Sequence, residues 1–155
     1  MNSENALREM ETLYMALADK TRLRLLNLMR DDEICVCFFT EVLSESQPKI
    51  SRHLAYLRSA GMVEARREGK WMHYSIRWPE GDGARRALQA AMDWLSTQTE
   101  MHRDREKYNE VCCSPDALVQ IARTPMPFIS VQTDIYERQP SESRPNHNEL
   151  EEFLL

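Results

Sequence analysis

Residues 44–61 read SESQPKISRHLAYLRSAG, and this stretch decides the fold. Within its polar start, Ser46 is typical of a helix N-cap and Pro48 is typical of the first helical position. The helix is predicted to run to about Ala60, because Gly61 is typical of a helix end. Its buried side is predicted from apolar residues at helical spacing, which are Ile50, Leu54 and Leu57.

The stretches on either side complete the pattern. Residues 62–76 read MVEARREGKWMHYSI, which predicts a β-hairpin that turns around Gly69. Residues 84–110 predict one long helix after a break rich in proline and glycine. Three earlier helices are predicted by apolar spacing over residues 5–18, 20–29 and 36–44, and Asp19 is typical of an N-cap for the second of them. The predicted fold class is therefore mainly α with a small β-hairpin wing (α+β), arranged as a winged helix-turn-helix.

Composition limits the class of protein. The chain has 155 residues, 42% of them hydrophobic, which suffices for one domain with a core and a tail. No apolar stretch is long enough to cross a bilayer, and the N-terminus lacks the apolar run of a signal peptide, so we expect a cytoplasmic protein with no membrane partner. Thiols there stay mostly reduced, so the four cysteines are expected to be ligands or redox sensors rather than structural disulfides.

The net charge of -5 is unevenly distributed. Residues 20–77 carry 11 Lys and Arg against 7 Asp and Glu, whereas residues 134–155 carry 2 against 6. A locally basic face on an acidic chain still binds phosphates. Charge therefore permits DNA binding, and the winged helix-turn-helix layout makes double-stranded DNA the predicted partner. The candidate contacts are the outward polar residues of the second helix and the hairpin tip, which are Gln47, Lys49, Ser51, Arg52, His53, Arg66, Arg67 and Lys70.

These motifs resemble a known family. Residues 16–26, ALADKTRLRLL, look like the opening signature of ArsR-type (ArsR/SmtB) winged-helix repressors, and residues 46–63 closely resemble that family's recognition helix. The resemblance implies a homodimer joined through the first and last helices, residues 5–18 and 84–110, and an operator that is an imperfect palindrome. We accordingly expect a DNA-binding and dimerisation domain over residues 1–110. Residues 111–155 are expected to form a cysteine-pair segment and a Pro-rich acidic tail that is partly disordered.

Two tight cysteine pairs flank the DNA-binding segment, Cys35 with Cys37 and Cys112 with Cys113. The first pair resembles the metal-binding motif of arsenite-sensing and cadmium/lead-sensing members. It departs from their pattern because Phe38 replaces an acidic residue and Thr40 replaces a cysteine found in some arsenite sensors. The second pair resembles the C-terminal cysteines of some arsenic-responsive relatives.

Soft thiolates are the ligands that As(III) and Sb(III) prefer. As(III) takes three of them, so Cys35 and Cys37 need a third from the C-terminal pair. Residues i and i+2 point to nearly opposite sides of a helix, so Cys35 and Cys37 share an ion only where the backbone is frayed or non-helical. The function predicted is a repressor released from its operator when As(III) or Sb(III) binds.

Other functions compete with this one. All four thiolates would suit Cd(II), Pb(II) or Zn(II), and a bridge between the pairs would make a thiol-redox-sensing repressor. A site on the last helix is disfavoured because Leu95 stands where a histidine would be needed after Asp93, although His102 with Asp104 or Glu106 is a looser set. An enzyme is not expected, because the chain lacks a Cys-x-x-Cys motif and a nucleotide-binding glycine loop. A protein-interaction module is the remaining alternative.

Overall fold

The computed structural model describes residues 3–114, and the predicted acidic tail lies outside them. In chain order the elements are α1 Ser3–Leu17, α2 Lys20–Leu28, β1 Ile34–Cys35, α3 Val36–Leu43, α4 Gln47–Ser59, β2 Val63–Glu68, β3 Trp71–Ile76, α5 Asp82–Leu95 and α6 Thr99–Cys113. Between residues 3 and 114 no helix combines the length and the apolar character that crossing a bilayer requires.

Local sequence signals account for some of the helix ends. Asp19 caps α2 as predicted, its side chain accepting a hydrogen bond from the Arg22 amide at 2.9 Å. Ser46 occupies the N-cap of α4, but its hydroxyl makes no capping bond, and Pro48 is the second helical residue rather than the first. Gly61 follows α4 with φ +71°, a conformation that glycine adopts without strain.

The predicted hairpin is confirmed, with a third strand added to it. Strands β2 and β3 pair antiparallel from Val63 opposite Ile76 to Glu68 opposite Trp71, and Gly69 turns between them with φ +58°. Strand β1 pairs with the other edge of β3 and makes the strand order β1-β3-β2. A two-residue strand is too short for a period-2 pattern to reveal it in the sequence.

The prediction of one long helix over residues 84–110 is wrong. The chain breaks between α5 and α6 at residues 96–98. The Ser96 hydroxyl donates to the Asp93 carbonyl at 2.6 Å, and the Thr97 hydroxyl donates to the Trp94 carbonyl at 2.7 Å. Such side-chain bonds offer the backbone an alternative to the next helical turn. Since α6 continues through Cys113, the second cysteine pair is helical and not extended.

One core lies beneath the helix-turn-helix. The second helix, α4, buries Ile50, Leu54 and Leu57 completely, as predicted, and Phe39 of α3 is equally buried. Burial of each such side chain stabilises the fold by about 1.5–3 kcal/mol. Contacts of α4 with α2, α3 and β2 therefore fix which of its sides faces outward. Helix α6 packs across α2 and α3 and closes the opposite side.

Candidate nucleic-acid interface and thiol site

The predicted DNA contacts on the outward side of α4 differ in their exposure and in the partners that they already have. Arg52 is exposed, and its Nε lies 3.5 Å from the Pro48 carbonyl. Lys49 forms a 2.6 Å ion pair with Glu45, one helical turn earlier. Gln47, Lys49, Ser51 and His53 are half-buried. The interface thus combines an accessible guanidinium with polar groups held closer to the domain.

An open cleft beside α4 is lined by five side chains: Arg22, Lys49, Arg52, His53 and Tyr56. His53 Nδ1 lies 3.4 Å from the Asp19 carboxylate. Arg22 lies over the Tyr56 ring at 4.3 Å and donates hydrogen bonds to the carbonyls of Met15 and Ala16, at the end of α1. Sequence reasoning missed Arg22 and Tyr56 as members of this basic surface. The signal for Arg22 was its place beside the α2 N-cap; Tyr56 had none.

The wing tip carries the three other predicted contacts, and all are exposed. Arg67 Nε donates to the Gly69 carbonyl at 3.0 Å, and Lys70 Nζ lies 5.1 Å from the centre of the Trp71 ring. Arg66 is already engaged by two carboxylates: its Nη2 lies 2.7 Å from Glu33 and 2.8 Å from Glu68. Hydrogen bonds to Glu33, then Glu68, raise the pKa of Arg66 above its ordinary value.

Cys35 and Cys37 meet where β1 passes into α3. Cys35 is the N-cap of α3 in an extended conformation, and Cys37 is the second residue of that helix. Because the backbone at Cys35 is not helical, the two side chains reach the same side, and their Sγ atoms are 2.8 Å apart. The condition for the pair to share an ion, a backbone that is not helical throughout, is met at Cys35. Cys35 is buried, whereas Cys37 is half-buried.

The hydrogen bond between the two sulfur atoms shifts the pKa values of the two thiols in opposite directions. A hydrogen bond from the Cys37 thiol lowers the pKa of Cys35 to about 7, against the opposing effect of burial. The same bond, together with burial, raises the pKa of Cys37. The pair therefore loses one proton near neutrality and holds the other between the two sulfur atoms. A thiolate is the form that binds soft ions.

The second cysteine pair lies at the end of α6. Cys112 is half-buried and Cys113 is exposed. No group of three or more His, Cys, Asp or Glu side chains within residues 3–114 is close enough together to hold a metal ion. The four predicted thiol ligands are therefore brought together only as the Cys35–Cys37 pair. These two sulfur atoms suit two of the three positions that As(III) offers to thiolates.

One candidate ligand of the alternative metal site on α6 is already bound by an arginine. Asp104 is buried and accepts two hydrogen bonds from Arg24, at 2.6 and 2.7 Å. Its carboxylate is thus committed to the guanidinium, while His102 is exposed. On α5, Asp93 accepts a hydrogen bond from Gln89 at 2.9 Å.

Comparison with known proteins gives a consistent assignment. Residues 19–65 match the family described as bacterial regulatory protein, arsR family. The arsenic resistance transcriptional regulator ArsR1 of Pseudomonas putida is 42% identical over 90 residues, which are 54% of this chain and 70% of that protein. The regulator ArsR2 of the same organism is 38% identical over 110 residues, 65% of this chain and 95% of that protein.

A solved structure supports the same assignment. The homodimeric winged helix-turn-helix DNA-binding domain of a possible ArsR-family transcriptional regulator from Mycobacterium bovis is 27% identical, with a TM-score of 0.50. The match covers 64% of this chain and 90% of that domain. The chain therefore belongs to the ArsR family of bacterial regulatory proteins, and its helix-turn-helix and wing form the DNA-binding fold of that family.

Proposed function

We propose that this chain is a homodimeric transcriptional repressor, and that As(III) or Sb(III) releases it from operator DNA by binding cysteine thiolates. The observation that carries the proposal is the 2.8 Å contact between the Sγ atoms of Cys35 and Cys37, at the junction of β1 and α3. The names of the Pseudomonas putida relatives, both arsenic resistance regulators, support the choice of ion.

Dimerisation is supported by apolar side chains left exposed on two helices. Leu7 and Tyr14 of α1 are 72% and 58% exposed, and Trp94 of α5 is 61% exposed. Large apolar side chains on neighbouring elements mark interaction surfaces more often than isolated ones do. Helices α1 and α5 pack against each other. With the last helix divided, the dimer surface is assigned to α1 and α5, and two-fold symmetry implies a palindromic operator.

The reaction with the inducer requires no oxidant. At each cysteine that it binds, arsenous acid, As(OH)₃, exchanges one As–O bond for an As–S bond, and the thiol proton leaves with the hydroxide as water. Arsenic stays trivalent throughout. Cys35, with its pKa lowered to about 7, supplies a thiolate at neutral pH to begin the exchange.

The place of the pair in the fold gives a route from binding to release. The 2.8 Å contact is a hydrogen bond from the Cys37 thiol to the Cys35 sulfur, and binding an ion to both sulfur atoms displaces that proton, so the two sulfur atoms must separate. Cys35 is in β1, whose partner strand β3 forms the wing, and Cys37 is in α3, which packs against α4. Both DNA-contacting elements thus adjoin the pair. Coupling is reciprocal, so operator DNA weakens inducer binding by the same factor.

Thiol oxidation is the second candidate, favoured by the lowered pKa of Cys35, because thiolates oxidise more readily than thiols. The ions Cd(II), Pb(II) and Zn(II) form the third, since thiolates bind them as well.

The test uses the reduced full chain and a palindromic duplex recovered from randomised DNA. Fluorescence anisotropy follows binding while sodium arsenite, potassium antimonyl tartrate, cadmium chloride or hydrogen peroxide is added. We expect arsenite and antimony to release the wild type from DNA but not the Cys35→Ser/Cys37→Ser variant. Excess dithiothreitol should restore DNA binding. Release by cadmium alone, or by peroxide alone, would select the corresponding alternative. Failure of the wild type to bind any duplex would favour an interaction module.

A further inference from the structure

Hydrogen bonds and ion pairs hold helix α6 against the α2 region of its own subunit. Asp104 accepts two hydrogen bonds from Arg24, at 2.6 and 2.7 Å, and is 5% exposed. One residue later, Arg105 donates to the Leu28 carbonyl at 3.1 Å and pairs with Asp31 at 2.6 Å. These contacts hold α6 across the end of α2, immediately before the loop that leads to β1.

The next turn of α6 contacts α3 beside the thiol pair. Tyr108 meets Phe38 edge to face, with ring centres 5.7 Å apart, and Phe38 directly follows Cys37 in the chain. Cys112 lies four residues after Tyr108 on the same side of α6, ~6 Å further along its axis. Helical spacing therefore places Cys112 next to Tyr108 on the side of α6 that contacts α3.

The two cysteines at the end of α6 are not equivalent. Successive residues of a helix are rotated by about 100°, so Cys112 and Cys113 cannot both share the side that Tyr108 presents to α3. Cys112 is half-buried and Cys113 is exposed.

We propose that Cys112, and not Cys113, is the third thiolate of the inducer site, and that it belongs to the same subunit as the Cys35–Cys37 pair it completes. This inference rests on the proposed function. Cys112 replaces the last As–O bond by an As–S bond, and its proton leaves in the water released.

Bringing the Cys112 sulfur to the Cys35–Cys37 pair requires a small movement of α6. Within residues 3–114 the three sulfur atoms are not yet assembled, so the last turn of α6 must approach the start of α3. Lys107 Nζ bonds the Ser44 hydroxyl at 2.8 Å, an exposed contact that yields easily, whereas the buried Arg24–Asp104 pair holds the first half of α6 in place. Binding therefore tightens α6 against α3 at the N-terminal end of the helix-turn-helix.

The first test measures arsenic–sulfur coordination directly, with full-length protein and sodium arsenite. The ultraviolet arsenic–thiolate absorption and the X-ray absorption fine structure report the number of bound sulfur atoms. We expect three in the wild type and in Cys113→Ser, and two in Cys112→Ser, with α6 helicity checked by circular dichroism. Three sulfur atoms in Cys112→Ser, or a loss in Cys113→Ser, would overturn the assignment.

The second test assigns the subunit. A heterodimer purified through two tags combines a Cys35→Ser/Cys37→Ser subunit with a Cys112→Ser subunit. Closure within one subunit leaves no complete site in this heterodimer, whereas closure between subunits leaves one, and that one would refute the inference. Wild-type protein that binds arsenite through two sulfur atoms would also refute it while leaving the proposed function intact. Wild-type protein that binds no arsenite would contradict the proposed function itself.

Discussion

Glu33 and Arg66 are joined by paired hydrogen bonds, Nη2 to Oε2 at 2.7 Å and Nε to Oε1 at 2.9 Å, although 33 residues separate them in the chain. Glu33 lies two residues before Cys35, and Arg66 belongs to the wing. Across the sheet, Cys35 is opposite His73, and His73 is opposite Arg66. A carboxylate next to the thiol pair therefore holds a wing guanidinium that we propose as a DNA contact.

Replacing Glu33→Gln should tighten operator binding by about two- to fivefold at low salt, because Arg66 loses a competing anion at an exposed site. Arsenite should still bind, but with a smaller effect on operator affinity. Anisotropy titrations with and without arsenite measure both quantities. The matched control is Glu64→Gln, because Glu64 lies on the same strand as Arg66 but accepts a hydrogen bond from the Ser75 hydroxyl. Equal effects of the two variants would contradict a specific role for Glu33.

Alkylation of Cys35 should depend on pH with a midpoint near 7, because the Cys37 thiol stabilises the Cys35 thiolate. A lowered pKa means that the reactive form persists to lower pH than for a free cysteine, whose pKa is about 8.5. Peptide mass spectrometry after timed iodoacetamide treatment gives the profile. The Cys37→Ala variant should move the midpoint upward, and an unmoved midpoint would show that Cys37 is not the cause.

Replacing Asp104→Ala should lower the free energy of unfolding by about 2–4 kcal/mol, because it leaves the half-buried Arg24 guanidinium without its main partner. Urea denaturation at one fixed protein concentration measures the change. The control is Lys20→Gln, which removes a more exposed ion pair with Glu100 and should cost at most about 1 kcal/mol. Similar losses in both variants would contradict the importance of burial.

Replacing Arg52→Ala should weaken operator binding, because Arg52 is an exposed guanidinium on the outward side of α4. A phosphate contact predicts that the slope of log affinity against log salt falls in magnitude by about 0.9, whereas a base contact predicts relaxed specificity at one position. Arg86→Ala, on α5, provides the comparison. An Arg52 variant with unchanged affinity, slope and specificity would remove it from the interface.

Replacing Trp94→Glu should shift the protein from dimer to monomer, since a charge would replace a large exposed apolar side chain on α5. Sedimentation velocity across a concentration series measures the shift. Arg85→Glu makes the appropriate control because nine residues on a helix place it on the opposite side. A Trp94 variant that remains dimeric would place the interface elsewhere.

The sequence predicted the parts of the molecule that depend on neighbours along the chain. The Asp19 cap, the apolar side of α4 and the turn at Gly69 all follow from local periodicity and residue chemistry. The break between α5 and α6 was missed, although its cause is local, because no glycine or proline marks it and the hydroxyls of Ser96 and Thr97 bond the backbone instead.

Local sequence patterns were enough to predict the winged helix-turn-helix, the outward polar side of α4 and one thiol pair at the start of α3. The packing of whole elements joins β1 to the wing, pairs Arg66 with Glu33, and sets Arg24 against Asp104, 80 residues away, so that α6 crosses α3 near Cys37. The physical reason is that helix and turn signals act over a few residues. Pairing between distant side chains depends instead on how whole elements pack, which no short stretch encodes.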